Sequence, residues 1–143
     1  MANDDLYTPK WIFDSINLKF DLDVCASNNS NICVPAGKRY TIEDDGLLSP
    51  WFGRVWMNPP FSKPRPWAEK FLAHGNGIAL LPLSGNSGWW RDLWNSEAAV
   101  VMVKPNTGFI NTEGEERKIM YGISLWAVGE ENIKALSSFS KVR

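Results

Sequence analysis

Val55-Trp56-Met57-Asn58-Pro59-Pro60-Phe61 is the stretch on which the reading of this chain turns. The apolar run Val55-Trp56-Met57 reads as the end of a buried strand. An amide, two prolines and an aromatic ring then stand at its carboxyl end, where open α/β sheets bind their ligands. The prolines fix φ and remove two backbone donors, leaving carbonyls that only accept hydrogen bonds. An amide oxygen and a carbonyl beside a flat apolar face suit a planar group with an exocyclic amine, such as adenine or cytosine. The plainer alternative is a strand entering a Pro-Pro turn, with Phe61 packed in the core.

Downstream of this stretch the pattern alternates between helix and strand. Residues 63–74 form a helix entered through prolines, with Trp67, Ala68, Phe71 and Leu72 on its apolar side. Residues 77–83 are a continuous apolar run, as expected of a strand buried on both faces. Residues 88–95 read as a helix and 98–103 as the next buried strand. Strand, helix, strand, helix, strand predicts right-handed crossovers and a mainly parallel, doubly wound α/β sheet, Rossmann-like in plan. Upstream, Thr8 is expected to cap a helix with Pro9 at its first position, and Trp11, Ile12 and Ile16 share one face. Phe20-Asp21-Leu22-Asp23-Val24 alternates as a strand. Residues 28–39 read as a loop with at most a helical turn. Tyr40-Thr41-Ile42 reads as a short strand. Toward the end, residues 108–110 and 123–128 are expected to form a terminal antiparallel hairpin, followed by a short helix over 131–136.

Composition narrows the class. A chain of 143 residues with 44% apolar and 22% charged residues and a net charge of −1 is expected to fold as one domain (1–143), without a separate target-recognition domain. No apolar run approaches the ~18 residues needed to span a membrane. Met1-Ala2-Asn3-Asp4-Asp5 lacks the basic and apolar regions of a signal peptide, so a cytoplasmic location is expected. Cys25 and Cys33 match no zinc spacing, and the single His74 does not complete a metal site with them; no metal is expected. His74 precedes a glycine at a helix end, where an imidazole meets carbonyls or the helix dipole. The near-neutral charge argues against tight nonspecific DNA binding but leaves room for a basic rim. Eight tryptophans are many for this length. Most are expected in or near the core, although aromatic rings also stack on unpaired bases.

A nucleotide-like cofactor lies across the carboxyl ends of parallel strands, where an acidic residue takes its donors. Three segments fit: Asp23 with Cys25, Ala26 and Ser27, whose small residues admit close approach; Asp44-Asp45-Gly46 after the next strand; and Asn58. Asp23 or the Asp-Gly pair read equally as ordinary turn acids.

These segments resemble the small adenine methyltransferases of phages and prophages, amino-methyltransferases with an Asn-Pro-Pro-Phe/Tyr motif. The family's order is Thr-Pro-x-x-x-Phe, Leu-Asp-Val-Cys-Ala, Asp-Asp-Gly-Leu, a Trp, and Asn-Pro-Pro. This chain carries Thr8-Pro9 with Phe13, Leu22 to Ala26, Asp44 to Leu47, Trp51, and Asn58 to Pro60. Leu80-Leu81-Pro82 and Trp89-Trp90 are similar to later segments of the family. The glycines of the usual first cofactor motif are missing, and no acid stands out for the ribose.

The resemblance implies S-adenosylmethionine as cofactor, held by Thr8, Pro9, Asp23, Cys25, Ala26, Ser27, Asp45, Gly46 and Asn58. It implies methyl transfer to N6 of adenine in DNA at Asn58, Pro59, Pro60 and Phe61, with the base flipped out of the duplex and stacked on Phe61. Lys63, Arg65 and Arg91 are candidate phosphate contacts, or ordinary surface charges. The charged stretch 107–118 is either part of a DNA-facing rim or a solvated hairpin tip. Little room for target recognition leads to a short recognition sequence, or to help from a homo-oligomer or partner subunit. N4-cytosine methylation uses the same motif. A noncatalytic nucleic-acid binder and a protein glutamine methyltransferase are the remaining alternatives.

Overall fold

The structure, a computed structural model, describes residues 6–104, 106–119 and 122–139. Met1 to Asp5, read above for a signal peptide, lie outside the described residues. The elements in chain order are α1 (Lys10–Ile16), β1 (Phe20–Asp23), β2 (Ala36–Arg39), β3 (Val55–Met57), α2 (Arg65–His74) and β4 (Gly77–Pro82). They continue with α3 (Gly88–Trp94), β5 (Ala99–Val103), β6 (Gly108–Ile110), β7 (Glu116–Lys118), β8 (Ile123–Val128) and α4 (Glu130–Leu136).

Six strands form one sheet in the order β2-β1-β3-β4-β8-β5. β2, β1, β3 and β4 are parallel neighbours, while β8 runs antiparallel between β4 and β5. Side chains in the central strands alternate between two cores. Trp56, Ile78, Leu80, Leu125 and Val101 face α1 and α4, with Ile12, Phe13, Ile16 and Leu136 closing that side. Val55, Met57, Ala79, Leu81, Trp126 and Val100 face α2 and α3, against Trp67, Phe71, Trp89 and Leu93. Burial on both faces is why these strands read as unbroken apolar runs. The one polar residue in β8, Ser124, is fully satisfied: its hydroxyl donates to Leu81 O at 2.9 Å and accepts from Trp126 Nε1 at 2.9 Å.

α2 follows the expected punctuation. Pro64 and Pro66 sit at its entry, and Gly75 ends it at φ 77°, a left-handed conformation that glycine adopts without strain. His74, in the last turn, meets the carbonyl of Gly53 at 2.8 Å.

Three expectations are corrected. The second strand is Ala36–Arg39, not Tyr40-Thr41-Ile42. It pairs only with β1 at the sheet edge, so its largely exposed Gly37-Lys38-Arg39 carries no apolar pattern to reveal it. Residues 108–110 pair with Glu116–Lys118 in a separate two-stranded hairpin, while Ile123–Val128 enters the main sheet. The six fully buried positions of β8 are better covered between two strands than in a terminal hairpin. Finally, Pro9 is the N-cap of α1, which begins at Lys10 and has no side-chain cap bond. Thr8 is engaged elsewhere.

Candidate functional site

β1 has β2 on one side and β3 on the other, so the chain reverses its direction of travel across the sheet at this pair. A switch point of this kind opens a crevice at the carboxyl ends of the strands. A cavity of about 130 Å³ lies there. Its walls are Asp23, Cys25, Ala26 and Ser27 after β1, Trp56, Asn58, Pro59 and Pro60 at β3, Leu6, Tyr7 and Thr8 before α1, and Ile32 and Val34. A second hollow of about 320 Å³ is lined by Val24, Cys25, Ala26, Tyr40, Thr41, Ile42, Asp45, Gly46, Pro60 and Trp67. Cys25, Ala26 and Pro60 border both, so the two read as one cleft: a narrow polar end at Asn58 and a wider apolar end at Trp67.

Local chemistry fixes the polar end. The Asn58 amide donates from Nδ2 to Thr8 Oγ1 at 3.4 Å, and Thr8 is only 2% exposed. With its nitrogen turned to Thr8, the oxygen of Asn58 remains as an acceptor. The Thr8 segment is itself anchored: Tyr7 N donates to Ile110 O at 2.7 Å, Ile110 N to Tyr7 O at 2.9 Å, and Tyr7 Oη lies 3.1 Å from Ser27 Oγ. The β6–β7 hairpin therefore buttresses this wall. Asn29 and Asn31 extend the brace by donating to Thr112 O at 3.1 and 3.0 Å.

Asp23 is the electrostatic feature of the cleft. It is 3% exposed, and Oδ1 accepts from Cys25 N at 3.2 Å. Among the described residues no cation lies within ion-pair distance of it. Burial pushes its carboxyl up to about 7, opposed by the Cys25 N–H and, more weakly, by Arg39. A buried carboxyl without a counter-ion, facing a cleft, costs stability when ionised and makes Asp23 a candidate site residue.

The apolar end is shaped by one turn. Asp45 has φ 53°, and its Oδ1 caps Leu47 N and Leu48 N at 3.2 and 3.3 Å. Asp44 is occupied by Thr41 N at 2.9 Å. The Asp-Gly pair is thus both a turn and a wall. Gly46 is held so close to β1 that an added Cβ would lie 1.9 Å from Val24 O and 3.0 Å from the Trp67 ring. Ile42, 90% exposed, stands at the rim.

Of the residues singled out from sequence, Thr8, Asp23, Cys25, Ala26, Ser27, Asn58, Pro59, Pro60, Asp45 and Gly46 border the cleft. Pro9 borders neither hollow; it caps α1. Phe61 also lies outside both linings and packs partly buried against the α1 side of the core. Arg65 sits between Glu69 at 4.0 Å and Asp92 at 3.6 Å, joining α2 to α3. Lys63 follows in the turn closed by Lys63 N to Pro60 O at 3.3 Å, and Arg91 lies on α3. Sequence reasoning missed Tyr7, Tyr40, Ile42 and Trp67 as cleft residues. Tyr40 and Ile42 would have been found had β2 been placed a few residues earlier, since they then fall at a strand end.

Fold and cleft define a Rossmann-like α/β protein with a cleft at the carboxyl ends of its parallel strands and Asn58-Pro59-Pro60 at one end of it. The chain belongs to the DNA N-6-adenine-methyltransferase (Dam) family, whose model matches residues 1–135. A DNA N-6-adenine-methyltransferase of Haemophilus phage HP1 (strain HP1c1) is 33% identical over 128 residues, covering 80% of this chain and 72% of that protein. No solved structure matches the chain. Membership sets the reaction as methylation of adenine N6 in DNA, and a methyl donor is required for it.

Proposed function

We propose that S-adenosylmethionine occupies this cleft and that the methyl group passes to the target adenine at Asn58. The observation that carries this reading is the placement of Asn58-Pro59-Pro60 at the switch point, at the polar end of a cleft continuous with the Asp45-Gly46 turn. The residues fit the group. Asp23 offers a buried carboxylate to the ammonium of its amino acid end, Ala26 and Ser27 leave the backbone approachable, and Ile42, Pro60 and Trp67 offer apolar walls to an adenine ring. Thr8 and Pro9 contribute through the segment that holds Asn58. When bound, S-adenosylmethionine supplies an electrophilic methyl on a sulfonium.

The amine of adenine is a weak nucleophile because its lone pair is delocalised into the ring. Asn58 Oδ1 and the Pro59 carbonyl accept its two N–H bonds, which favours a pyramidal nitrogen whose lone pair faces the side of the cleft where the methyl donor would lie. Neither proline has an N–H to compete for that lone pair. Thr8 keeps the Asn58 amide from rotating and presenting its donor. Positioning of this kind contributes ~7–11 kcal/mol in well-aligned cases. The methylated nitrogen then releases a proton to solvent, so no strong base is needed. Phe61 stacks on the extruded base only by turning out of its packing against the α1 side of the core, with stacking of ~1–3 kcal/mol offsetting part of the unpairing. Lys63 and Arg91 meet phosphates; Arg65 does so only by leaving Glu69 and Asp92.

The test is to incubate the protein with S-adenosylmethionine and unmethylated DNA, digest, and identify modified nucleosides by mass. N6-methyladenine is expected, and Asn58→Ala should lower its rate by on the order of 100-fold or more, as for removal of a single transition-state contact. N4-methylcytosine would overturn the substrate assignment. No modified base, with cofactor bound, would overturn the acceptor.

A further inference from the structure

We propose that Lys70 and Trp51 form a clamp that sets the position of the Asp45-Gly46 turn, making them positioning residues for the adenine end of the cofactor cleft. This rests on the cofactor reading above. Lys70 projects from α2 beneath the turn. Its ammonium donates to Gly46 O at 3.2 Å, Leu47 O at 2.8 Å and Ser49 O at 2.6 Å, so all three protons are engaged by carbonyls of a single turn. Trp51 closes the other side: Nε1 donates to Gly46 O at 2.7 Å, and the ring lies 5.1 Å from the Lys70 ammonium. Gly46 O therefore receives two donors, one from each clamp residue.

Among the described residues no carboxylate lies within ion-pair distance of Lys70, so its charge is matched by carbonyl dipoles and an aromatic face. Burial pushes its ammonium below the usual lysine range, opposed by the Asp45 carboxylate. The turn belongs to no strand or helix of the sheet, and its carbonyls would otherwise turn to water. Without the clamp, Gly46 can move off Val24 O, and the cleft changes width where Asp45 and Gly46 line it. α2 also supplies Trp67 to the same hollow, one helical turn before Lys70. Because α2 directly follows Asn58-Pro59-Pro60-Phe61, one helix fixes the adenine end of the cleft relative to the acceptor end.

The test compares wild type, Lys70→Met, Lys70→Arg and Trp51→Phe. Binding of S-adenosylmethionine and of 5′-methylthioadenosine, which keeps the adenosine end and lacks the amino acid, is measured by calorimetry alongside steady-state methylation. Lys70→Met keeps the stem and removes the donors. It should weaken both ligands by the same factor, 10-fold or more, and raise KM for S-adenosylmethionine equally. Its kcat at saturating cofactor and KM for DNA should stay within twofold of wild type. Lys70→Arg should recover part of the loss, and Trp51→Phe should weaken both ligands a few-fold. Wild-type affinity in Lys70→Met, loss of S-adenosylmethionine without loss of 5′-methylthioadenosine, or a fall in kcat alone would each overturn the clamp. If Lys70→Met does not fold, unchanged 5′-methylthioadenosine binding in Trp51→Phe overturns it. Failure of the wild type to bind either ligand, seen before any variant is compared, overturns the cofactor reading itself.

Discussion

Asp23 shows how a single side chain joins fold and chemistry. It occupies the end of β1, where Cys25 N donates to it, and lines the polar end of the cleft. Because burial raises its folded pKa to about 7 from 3.8, the folded protein binds a proton that the unfolded chain has already released between these values. Its contribution is therefore most favourable at low pH, is lost as pH rises from about 4 to about 7, and levels off above. The limiting slope is ~1.4 kcal/mol per pH unit. Urea unfolding from pH 4.5 to 8 should show this decline, and Asp23→Asn should flatten it; an unchanged slope in the variant would place the titration elsewhere. The same carboxyl should make cofactor affinity rise with pH through 7, since a cationic ligand favours its ionised form.

At the scale of elements, the turn between β2 and β3 has no regular secondary structure yet holds a fixed shape. Asp45 provides its left-handed residue, Lys70 and Trp51 its donors, and Gly46 its contact with β1. Gly46→Ala places a methyl against the Val24 carbonyl and the Trp67 ring, where neither backbone nor indole has room to give. The expected destabilisation is ~1–3 kcal/mol by overpacking, measured by denaturant unfolding, together with weaker cofactor binding in the protein that remains folded. A substitution with no effect on either would mean that the turn does not touch β1 as described.

Across the whole molecule, charge and size govern how DNA is met. With 15 Lys and Arg balanced by 16 Asp and Glu, the protein carries a net charge of −1 and offers phosphates no net positive charge. The slope of log affinity against log salt should accordingly be shallow, about −4 or less in magnitude, and fall by about 1 in Lys63→Ala and again in Arg91→Ala. Fluorescence anisotropy on a labelled duplex reads both. We further propose that the target sequence is short or relaxed, or that a second copy or partner subunit supplies recognition, since the elements among the described residues are those of one sheet, its helices and the β6–β7 hairpin. Methylation mapping on mixed-sequence DNA would refute this with a strict site of six bases or more. No described helix is long and apolar enough to cross a membrane.

By itself, the sequence determined the central strands and singled out Asn58-Pro59-Pro60 as a candidate site. Val55–Met57 and Gly77–Pro82 are apolar throughout because both faces are covered, and Ala99–Val103 is apolar although Met102 is exposed at the sheet edge; that local pattern survives without knowledge of neighbours. Asn58-Pro59-Pro60 was legible because rigidity and missing donors are properties of the residues themselves. Only the tertiary structure decided the rest. β2 is an edge strand whose exposed residues give no period, so its place depends on its pairing with β1. β8 reads as a strand in isolation, but its insertion between β4 and β5 is a choice among partners far apart in the chain. Thr8 looks like a helix cap until Asn58, fifty residues on, is brought to it. Asp23 acquires its raised pKa, and Lys70 its three carbonyls, from groups that only the fold assembles. Local periodicity reports how buried a residue is; which groups it meets there is set by the topology.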